Sequence, residues 1–258
     1  MTTIRKLYVL LCGYEILAKT ISTRDRGARF MLCEPISAYL LEGEDGYTLV
    51  DAGVNSTLVN DPALCYSYYT SHGWTPPVVN PQHELVVQLA EIGIAPEQVK
   101  RVVLTHMHMD HTGNLKHFRH ARIMVQRREY EYAFSNAHDP AWFDADYDLP
   151  GLHWDVIDGD HEIVPGMQAI TTFGHTSGHQ SLVVELPETG TVILAGDVGD
   201  LQENFDDEVL PGIASDDVAA LASIRRLKQI VAERNAQLFL CHDPQLIQRL
   251  RLAPTWYG

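Results

Sequence analysis

Four side chains that can bind metal ions stand within the six residues 106–111, in the pattern H-x-H-x-D-H. In an extended segment, residues two apart point to the same side, so His106 and His108 can bind one ion together. Asp110 and His111 come on the turn into the next helix and can face a second ion. A buried group of three imidazoles and a carboxylate is strongly unfavourable unless a cation offsets the desolvation. The cluster therefore predicts metal binding.

Further donors must complete two metal sites, and the second half of the chain supplies them. His175 lies in a turn flanked by glycines, Asp197 ends a predicted hairpin, and His242 ends the last predicted strand. Seven nitrogen and oxygen donors without a thiolate suit zinc with one coordination position left to water. We interpret the following histidines as surface residues or satisfied core residues: His72, His83, His117, His120, His138, His153 and His161.

The elements that position these donors repeat in the two halves of the chain. A predicted strand over 7–12 is followed by a hairpin over 37–41 and 47–50, and the second half has a hairpin over 182–186 and 191–194. Each hairpin precedes an amphipathic helix and then an apolar strand, 101–104 or 237–240, that runs into a histidine. Two β-rich halves with outer helices predict an α+β fold, a four-layer αβ/βα sandwich forming one domain over residues 1–258. The helices are marked by Leu85, Leu89 and Ile92, and by Val218, Leu221, Ile224, Leu227 and Val231.

Composition narrows the classes of partner. The chain has 34 acidic and 19 basic residues, a formal charge of −15, which repels nucleic acid and anionic lipid surfaces. No run approaches the roughly 18 apolar residues of a membrane span, so we expect a cytosolic protein. The four cysteines form no C-x-x-C pair, which favours reduced structural thiols over disulfides or a thiolate zinc site.

Two segments, 54–80 and 137–155, fit neither half of the repeat and are rich in aromatic residues. Long aromatic loops are candidates for a lid over a site. Any single ring is expected to anchor its loop, but together the rings are expected to line an apolar pocket. They are Tyr66, Tyr68, Tyr69, Trp74, Trp142, Phe143 and Trp154.

Further motifs accompany the histidine cluster: VQRREYEYAF at 125–134, GHTSGHQSL at 174–182, CHDP at 241–244 and PTWY at 254–257. With these motifs the sequence resembles the metallo-β-lactamase superfamily, and within it the quorum-quenching N-acyl-homoserine lactone lactonases. The likeness covers nearly the whole chain. It implies the metallo-β-lactamase fold and a hydrolase with two Zn²⁺ ions that opens a lactone ring.

The resemblance also implies how the donors divide between the ions. Asp197 should bridge the two zinc ions. Asp51 should orient a ligand histidine through its second ring nitrogen, although a turn residue before Gly53 is an equal alternative. One zinc should be held by His106, His108 and His175, and the other by Asp110, His111 and His242.

The implied mechanism is attack of a metal-bridging hydroxide on the ester carbonyl, since a zinc-bound water titrates near a pKa of about 7. One zinc would polarise the carbonyl and the other would stabilise the ring oxygen as it leaves. Asp110 would carry the proton to that oxygen. The product would be the open hydroxy acid.

One position departs from the pattern of the lactonases. They typically have a tyrosine three residues after the bridging aspartate, where its hydroxyl donates to the substrate, and this chain has Asp200. A carboxylate beside two cations should be ionised and unable to donate. We therefore name Asp200, with Asp110, as a candidate catalytic residue and expect it to narrow or shift substrate choice.

Several alternatives stay open. The chain could be a lactonase for another ring, of the 4-pyridoxolactone or γ-butyrolactone type, or a metal-bound protein that binds a lactone without turnover. Four other members of the superfamily are disfavoured, because in each case this chain lacks a feature that the family shows. They are a zinc β-lactamase, a glyoxalase-type thioesterase, a di-iron oxidase and a nuclease. A small-molecule lactone is the expected partner, and a homodimer is left open.

Overall fold

In a computed structural model, which describes residues 3–135 and 137–258, the strands form two mixed sheets. In the first sheet the first three strands are antiparallel and the next three pair in parallel. Its order along the sheet is β1 (Ile4–Ala18), β2 (Met31–Gly43), β3 (Gly46–Val50), β4 (Val99–Val103), β5 (Arg122–Gln126) and β6 (His153–Ile157).

The second sheet is antiparallel except for its last strand, which pairs in parallel with β10. From one edge to the other it comprises β11 (Gln237–Phe239), β10 (Gly190–Leu194), β9 (Gln180–Leu186), β8 (Met167–Thr171) and β7 (His161–Val164). The α-helices are α1 (Lys19–Ser22), α2 (Ser56–Asn60), α3 (Pro62–Tyr68), α4 (Leu85–Glu91), α5 (Met109–Thr112), α6 (Arg127–Ala133), α7 (Asp144–Tyr147), α8 (Gln202–Asp206) and α9 (Asp217–Arg234).

Side chains alternate between the two faces of each sheet and so build three apolar layers. On β1, Leu7 and Val9 are buried between the sheets, whereas Leu10 faces outward. Leu10 belongs to the same cluster as Leu89 of α4, which covers the first sheet. Ile224 of α9 is buried against the outer face of the second sheet. The order helix, sheet, sheet, helix confirms the predicted four-layer sandwich.

The two aromatic segments are more regular than expected. Segment 54–80 holds α2 and α3, and segment 137–155 holds α7 and the start of β6. The helix α3 begins at Pro62 because the Asp61 side chain accepts hydrogen bonds from two backbone N–H groups of its first turn. These helices are too short to show a core periodicity, so the prediction of loops was wrong there.

The strand ends bring the candidate residues to one edge of the sandwich. Asp51 follows β3, the H-x-H-x-D-H segment follows β4, Asp197 follows β10 and His242 follows β11. In α/β sheets this carboxyl edge is where ligands bind. Within the described ranges, no helix is long and apolar enough to span a lipid bilayer.

Candidate metal centre

Three imidazoles of the first donor group converge on one point. Nδ1 of His108 lies 2.9 Å from Nε2 of His106 and 3.0 Å from Nε2 of His175. One carboxylate oxygen of Asp197, Oδ2, lies 3.5 Å from the first of these Nε2 atoms and 3.4 Å from the second. In a tetrahedral zinc site with bonds of about 2.0–2.1 Å, neighbouring donors lie about 3.4 Å apart. The spacing therefore fits a cation at the centre of the group.

A second donor group lies directly beside the first. Nε2 of His111 is 3.1 Å from Oδ2 of Asp110, and Nε2 of His242 is 3.4 Å from the same oxygen. The other oxygen of Asp197, Oδ1, lies 3.4 Å from both Nε2 atoms. Each oxygen of this carboxylate thus faces one group, as a bridging ligand does. The arrangement of histidines and aspartates implies a two-metal site.

The structure brings together all seven residues that the sequence nominated as ligands. One group comprises His106, His108, His175 and Asp197, and the other comprises Asp110, His111 and His242. Nε2 of His111 is buried and has no hydrogen-bond partner of acceptable geometry among the described residues. A buried nitrogen without a partner is unfavourable unless a cation accepts its lone pair. None of the seven histidines interpreted as ordinary residues belongs to a donor group in the described part of the chain.

Asp51 orients His111, as the resemblance implied. Its Oδ2 accepts a hydrogen bond of 2.9 Å from Nδ1 of His111, and the same carboxylate accepts from the backbone N–H and hydroxyl of Thr105 at 2.7 and 2.9 Å. With Nδ1–H engaged, Nε2 keeps its lone pair for a metal. Asp51 has a left-handed backbone with φ +58°, so the turn alternative describes its conformation as well.

Backbone carbonyls fix two other imidazoles in the same way. Nδ1–H of His175 donates to the carbonyl of Ile213 at 3.1 Å, and Nδ1–H of His242 donates to the carbonyl of Pro35 at 2.9 Å. Both rings therefore present Nε2 to the donor groups. These contacts come from segments far away in sequence, and no local pattern announces them.

Electrostatics separates the two groups. Burial lowers the pKa values of His106 and His108 well below the ordinary value, so both rings are neutral and can bind a metal. Burial acts the same way on His111, but Asp110 and Asp197 outweigh it and raise its pKa well above the ordinary value. Burial opposes ionisation of Asp110 too, yet His111 holds its pKa at about 2. The proton retained in the second group marks the place that a cation would take.

Glu129 is a buried residue that sequence reasoning did not single out, although it lies in the 125–134 motif. One of its oxygens accepts from the backbone N–H of Met107 at 3.0 Å and from the indole of Trp142 at 3.1 Å. The other accepts from the hydroxyl of Thr176 at 2.5 Å and the backbone N–H of Gly178 at 3.2 Å. The carboxylate of Glu129 thus connects two segments of the site. It holds the H-x-H segment through Met107, and it holds the loop that carries His175 through Thr176 and Gly178.

His179 was also missed, although the repeated histidine in GHTSGH is a signal that could have found it. Its Nε2 accepts from the backbone N–H of Asp197 at 2.9 Å, and its Nδ1–H donates to the hydroxyl of Thr172 at 2.9 Å. Burial lowers the pKa of His179 to about 3, which keeps the ring neutral. It positions the central carboxylate without belonging to either donor group.

The four cysteines are free, and one of them borders the site. Sγ of Cys241 lies 3.1 Å from Oδ1 of Asp197. Burial raises the pKa of this thiol well above its ordinary range, so it stays protonated and can donate to the carboxylate. Asp197, Cys241 and His242 also lie close enough to form a third donor group, so the absence of a thiolate ligand stays a prediction.

A cavity of about 640 Å³ opens over the donor groups. Trp74 from segment 54–80 and Trp142 from segment 137–155 both line it, so the two aromatic segments do contribute to one pocket. The ring of Trp142 packs edge-on against His108 with centroids 4.2 Å apart. Tyr69 and Phe143 instead pack against each other in a separate buried cluster and anchor their segments.

Asp200 also lines this cavity and is only 8% exposed. Burial, followed by the negative charge of Asp197 and against the pull of His242, raises its pKa well above the ordinary value. This direction reflects the low solvation and the further acids that the surrounding protein supplies. The ionised carboxylate expected from the sequence refers to a site that holds two cations, and it stays a prediction.

The family follows from the sequence and from this geometry together. The sequence model of the metallo-beta-lactamase superfamily matches residues 32–242. The chain belongs to the metallo-β-lactamase superfamily.

Relatives within the superfamily match over the full chain. The N-acyl homoserine lactonase of Bacillus thuringiensis is 34% identical over 254 residues, which cover 98% of this chain and 99% of the relative. The N-acyl homoserine lactonase AttM of Azorhizobium caulinodans is 33% identical over 272 residues and covers 100% of both. A solved N-acyl homoserine lactone hydrolase, with N-hexanoyl-L-homoserine bound at its catalytic metal center, is similar with a TM-score of 0.89 and 34% identity, covering 99% of this chain and 100% of that one.

Proposed function

We propose that this protein is a dizinc hydrolase that opens the ring of N-acyl homoserine lactones. The observation that carries the proposal is the carboxylate of Asp197, whose two oxygens each lie 3.4 to 3.5 Å from the imidazoles of a different donor group. These groups form the floor of a cavity of a size typical for small-molecule sites. Relatives with the same activity in their names match the entire chain.

The seven donors would hold the ions as the resemblance implies, with three imidazoles on one side and two imidazoles with Asp110 on the other. Imidazole nitrogen and carboxylate oxygen without thiolate suit zinc. Bound zinc ions would supply a Lewis acid for the carbonyl and lower the pKa of an attacking water. The neutral His106 and His108 are ready to bind, and Asp197 stays ionised because the imidazoles hold its pKa well below the ordinary value.

The chain itself must deliver a proton to the ring oxygen as the ester opens. Asp110 lines the cavity, and its Oδ2 also faces His111 and His242. A carboxylate at this position can take a proton from the nucleophile and pass it to the leaving oxygen. Trp142 covers His108 on the cavity side and would exclude bulk water from this transfer.

The four free thiols support a cytosolic location.

The proposal is tested by metal analysis together with acid release from N-hexanoyl homoserine lactone in a pH-stat. We expect about two zinc ions per chain, steady acid release, and loss of that release after chelation. Asp197→Asn should reduce turnover at least about a hundredfold, because it removes a charge shared by both groups. Asp148→Asn, at an exposed position, is the matched control and should be unchanged.

Three results would reject the proposal. Full activity in metal-free protein would remove the role of the donor groups. Tight lactone binding without acid release, in protein carrying two metals, would leave a binding protein instead of an enzyme. Nitrocefin hydrolysis at a comparable rate would move the assignment to a zinc β-lactamase.

A further inference from the structure

Three carboxylates line one wall of the cavity beside the donor groups. They belong to Glu15 on β1, Glu34 on β2 and Asp200 after β10. Glu15 and Glu34 are directly opposite each other in the antiparallel register of β1 and β2, so their side chains share one face of the sheet. Like charges in that position destabilise a sheet, and burial increases the penalty. Three acids at this wall therefore destabilise the folded state.

Two of these carboxylates are incompletely satisfied. Oε1 of Glu34 accepts a hydrogen bond of 2.6 Å from the hydroxyl of Ser22, but its Oε2 is buried and has no hydrogen-bond partner within the described residues. Oδ1 of Asp200 is likewise buried without a partner in that part of the chain. Glu34 is 1% exposed and Asp200 is 8% exposed. Buried acceptors of this kind can accept hydrogen bonds from a donor group that enters the cavity.

His242 is the basic side chain that acts on this wall, where it lowers the pKa values of all three acids without outweighing their burial. Among the described residues that line the cavity, none is a lysine or an arginine. Burial raises the pKa of Glu15 to about 8, and burial also raises the pKa values of Glu34 and Asp200. Such carboxylates are held in an unfavourable environment that an incoming positive charge would relieve. The neighbouring apolar side chains of Ile16 and Leu17 can hold an aliphatic stem.

We propose that Glu15, Glu34 and Asp200 form an acidic subsite that binds a protonated amine of the substrate. This inference rests on the proposed lactone hydrolysis and narrows it: the preferred lactone carries an ammonium group in place of a purely aliphatic chain. The ammonium donates to the free oxygens of Glu34 and Asp200 while the ring lies on the donor groups. The established interactions of lysine ammonium groups with buried carboxylates are the same chemistry.

Pairs of lactones that differ only in this charge test the subsite. α-Amino-γ-butyrolactone is compared with α-methyl-γ-butyrolactone, and N-(ε-aminohexanoyl) homoserine lactone with N-heptanoyl homoserine lactone. For at least one pair, the zinc-loaded protein should show kcat/KM about tenfold or more higher for the amine, the effect of one hydrogen bond to a charged group. Equal values within both pairs would overturn the proposal.

Glu34→Gln is the decisive variant, because its amide oxygen can still accept from Ser22 while the charge is lost. It should abolish the preference for the amine, so that kcat/KM for the two lactones of a pair becomes equal within about twofold. Glu44→Gln, at an exposed position beyond the end of β2, is the control and should keep the preference. An equal loss for both lactones in Glu34→Gln would indicate a structural role and contradict the subsite.

Calorimetry with hexylammonium chloride separates the subsite from the hydrolase activity. The zinc-loaded wild type should bind hexylammonium, and Glu34→Gln should not. If the wild type binds hexylammonium but opens no lactone, the subsite stands and the proposed function fails. If it opens acyl lactones without binding hexylammonium, the proposed function stands and the subsite fails. Uptake of a third zinc ion per chain that is lost in Glu34→Gln would overturn the ammonium assignment in favour of a metal site.

Discussion

Glu129 provides the sharpest test of how the site is held in place. Its buried carboxylate accepts four hydrogen bonds, from the backbone N–H groups of Met107 and Gly178, the indole of Trp142 and the hydroxyl of Thr176. Burial raises its pKa and the four donors lower it, so the raised pKa shows that burial prevails. The substitution Glu129→Gln changes no volume, but it replaces one acceptor oxygen by an NH₂ donor.

The cost of this substitution follows from counting donors. The amide oxygen can still accept from Met107 and Trp142, and the hydroxyl of Thr176 can rotate to accept from the new NH₂ group. The backbone N–H of Gly178 then faces a donor and stays buried without a partner. A lost hydrogen bond to a charged group and an unsatisfied buried N–H cost about 1.5–3 and 1–3 kcal/mol. Removing a buried charge offsets part of this, so we expect a loss of about 2–4 kcal/mol.

Urea unfolding measures this loss when it is carried out on chelator-treated protein, so that metal binding does not contribute. Glu131→Gln on the same helix is the control, because Glu131 is exposed, and it should change the free energy of unfolding by less than about 0.5 kcal/mol. If Glu129→Gln is as stable as that control, the four hydrogen bonds do not hold the two loops together and our account of Glu129 is refuted.

Three further predictions concern other residues. Asp51→Asn, which its left-handed backbone tolerates, should weaken metal affinity about 10- to 100-fold in chelator competition. The amide oxygen is held by the backbone N–H of Thr105, so the NH₂ group faces Nδ1 of His111 and favours the wrong tautomer; unchanged affinity would contradict that role. Gly178→Ala would place the new Cβ 2.2 Å from the backbone nitrogen of Glu129 in α6. Gly190→Ala is the control, because its Cβ would meet no neighbour and only the φ of +79° would be strained. Thermal unfolding should show a loss of stability of about 1–2 kcal/mol for Gly190→Ala and a larger loss for Gly178→Ala. Burial raises the pKa of Asp146 to about 7, so the folded state holds a proton that the unfolded state releases at about 4, and this group destabilises the fold progressively as the pH rises from about 4 to about 7. Asp146→Asn should therefore gain about 2–3 kcal/mol on the wild type between pH 5 and pH 8 in urea unfolding, and an identical pH slope would show that this carboxylate does not titrate as described.

The fold could be anticipated because its signals are local. The apolar runs in β1 and β9, and the helical spacing of Leu85 and Leu89, depend only on neighbours in the chain. The short helices in 54–80 and 137–155 could not be anticipated in this way, because their formation depends on caps such as Asp61 and on aromatic packing.

The supporting residues of the site were harder to find than its donors. Glu129 is one of 34 acidic residues and carries no pattern of its own. Its role depends on Gly178 coming close enough that a Cβ there would lie 2.2 Å from the backbone nitrogen of Glu129. His179 was nearer to discovery, since it repeats His175 four residues later, but its hydrogen bond to the backbone of Asp197 required the fold.

The sequence alone determined the chemistry: the H-x-H-x-D-H pattern and the histidines and aspartate at strand ends are donors by their side-chain type and their place after apolar strands. Only the tertiary structure decided the environment of Asp200 and the opposition of Glu15 and Glu34. The reason is physical. Ligand type is a property of a single residue, whereas solvation, charge and hydrogen-bond satisfaction depend on which distant segments close around it.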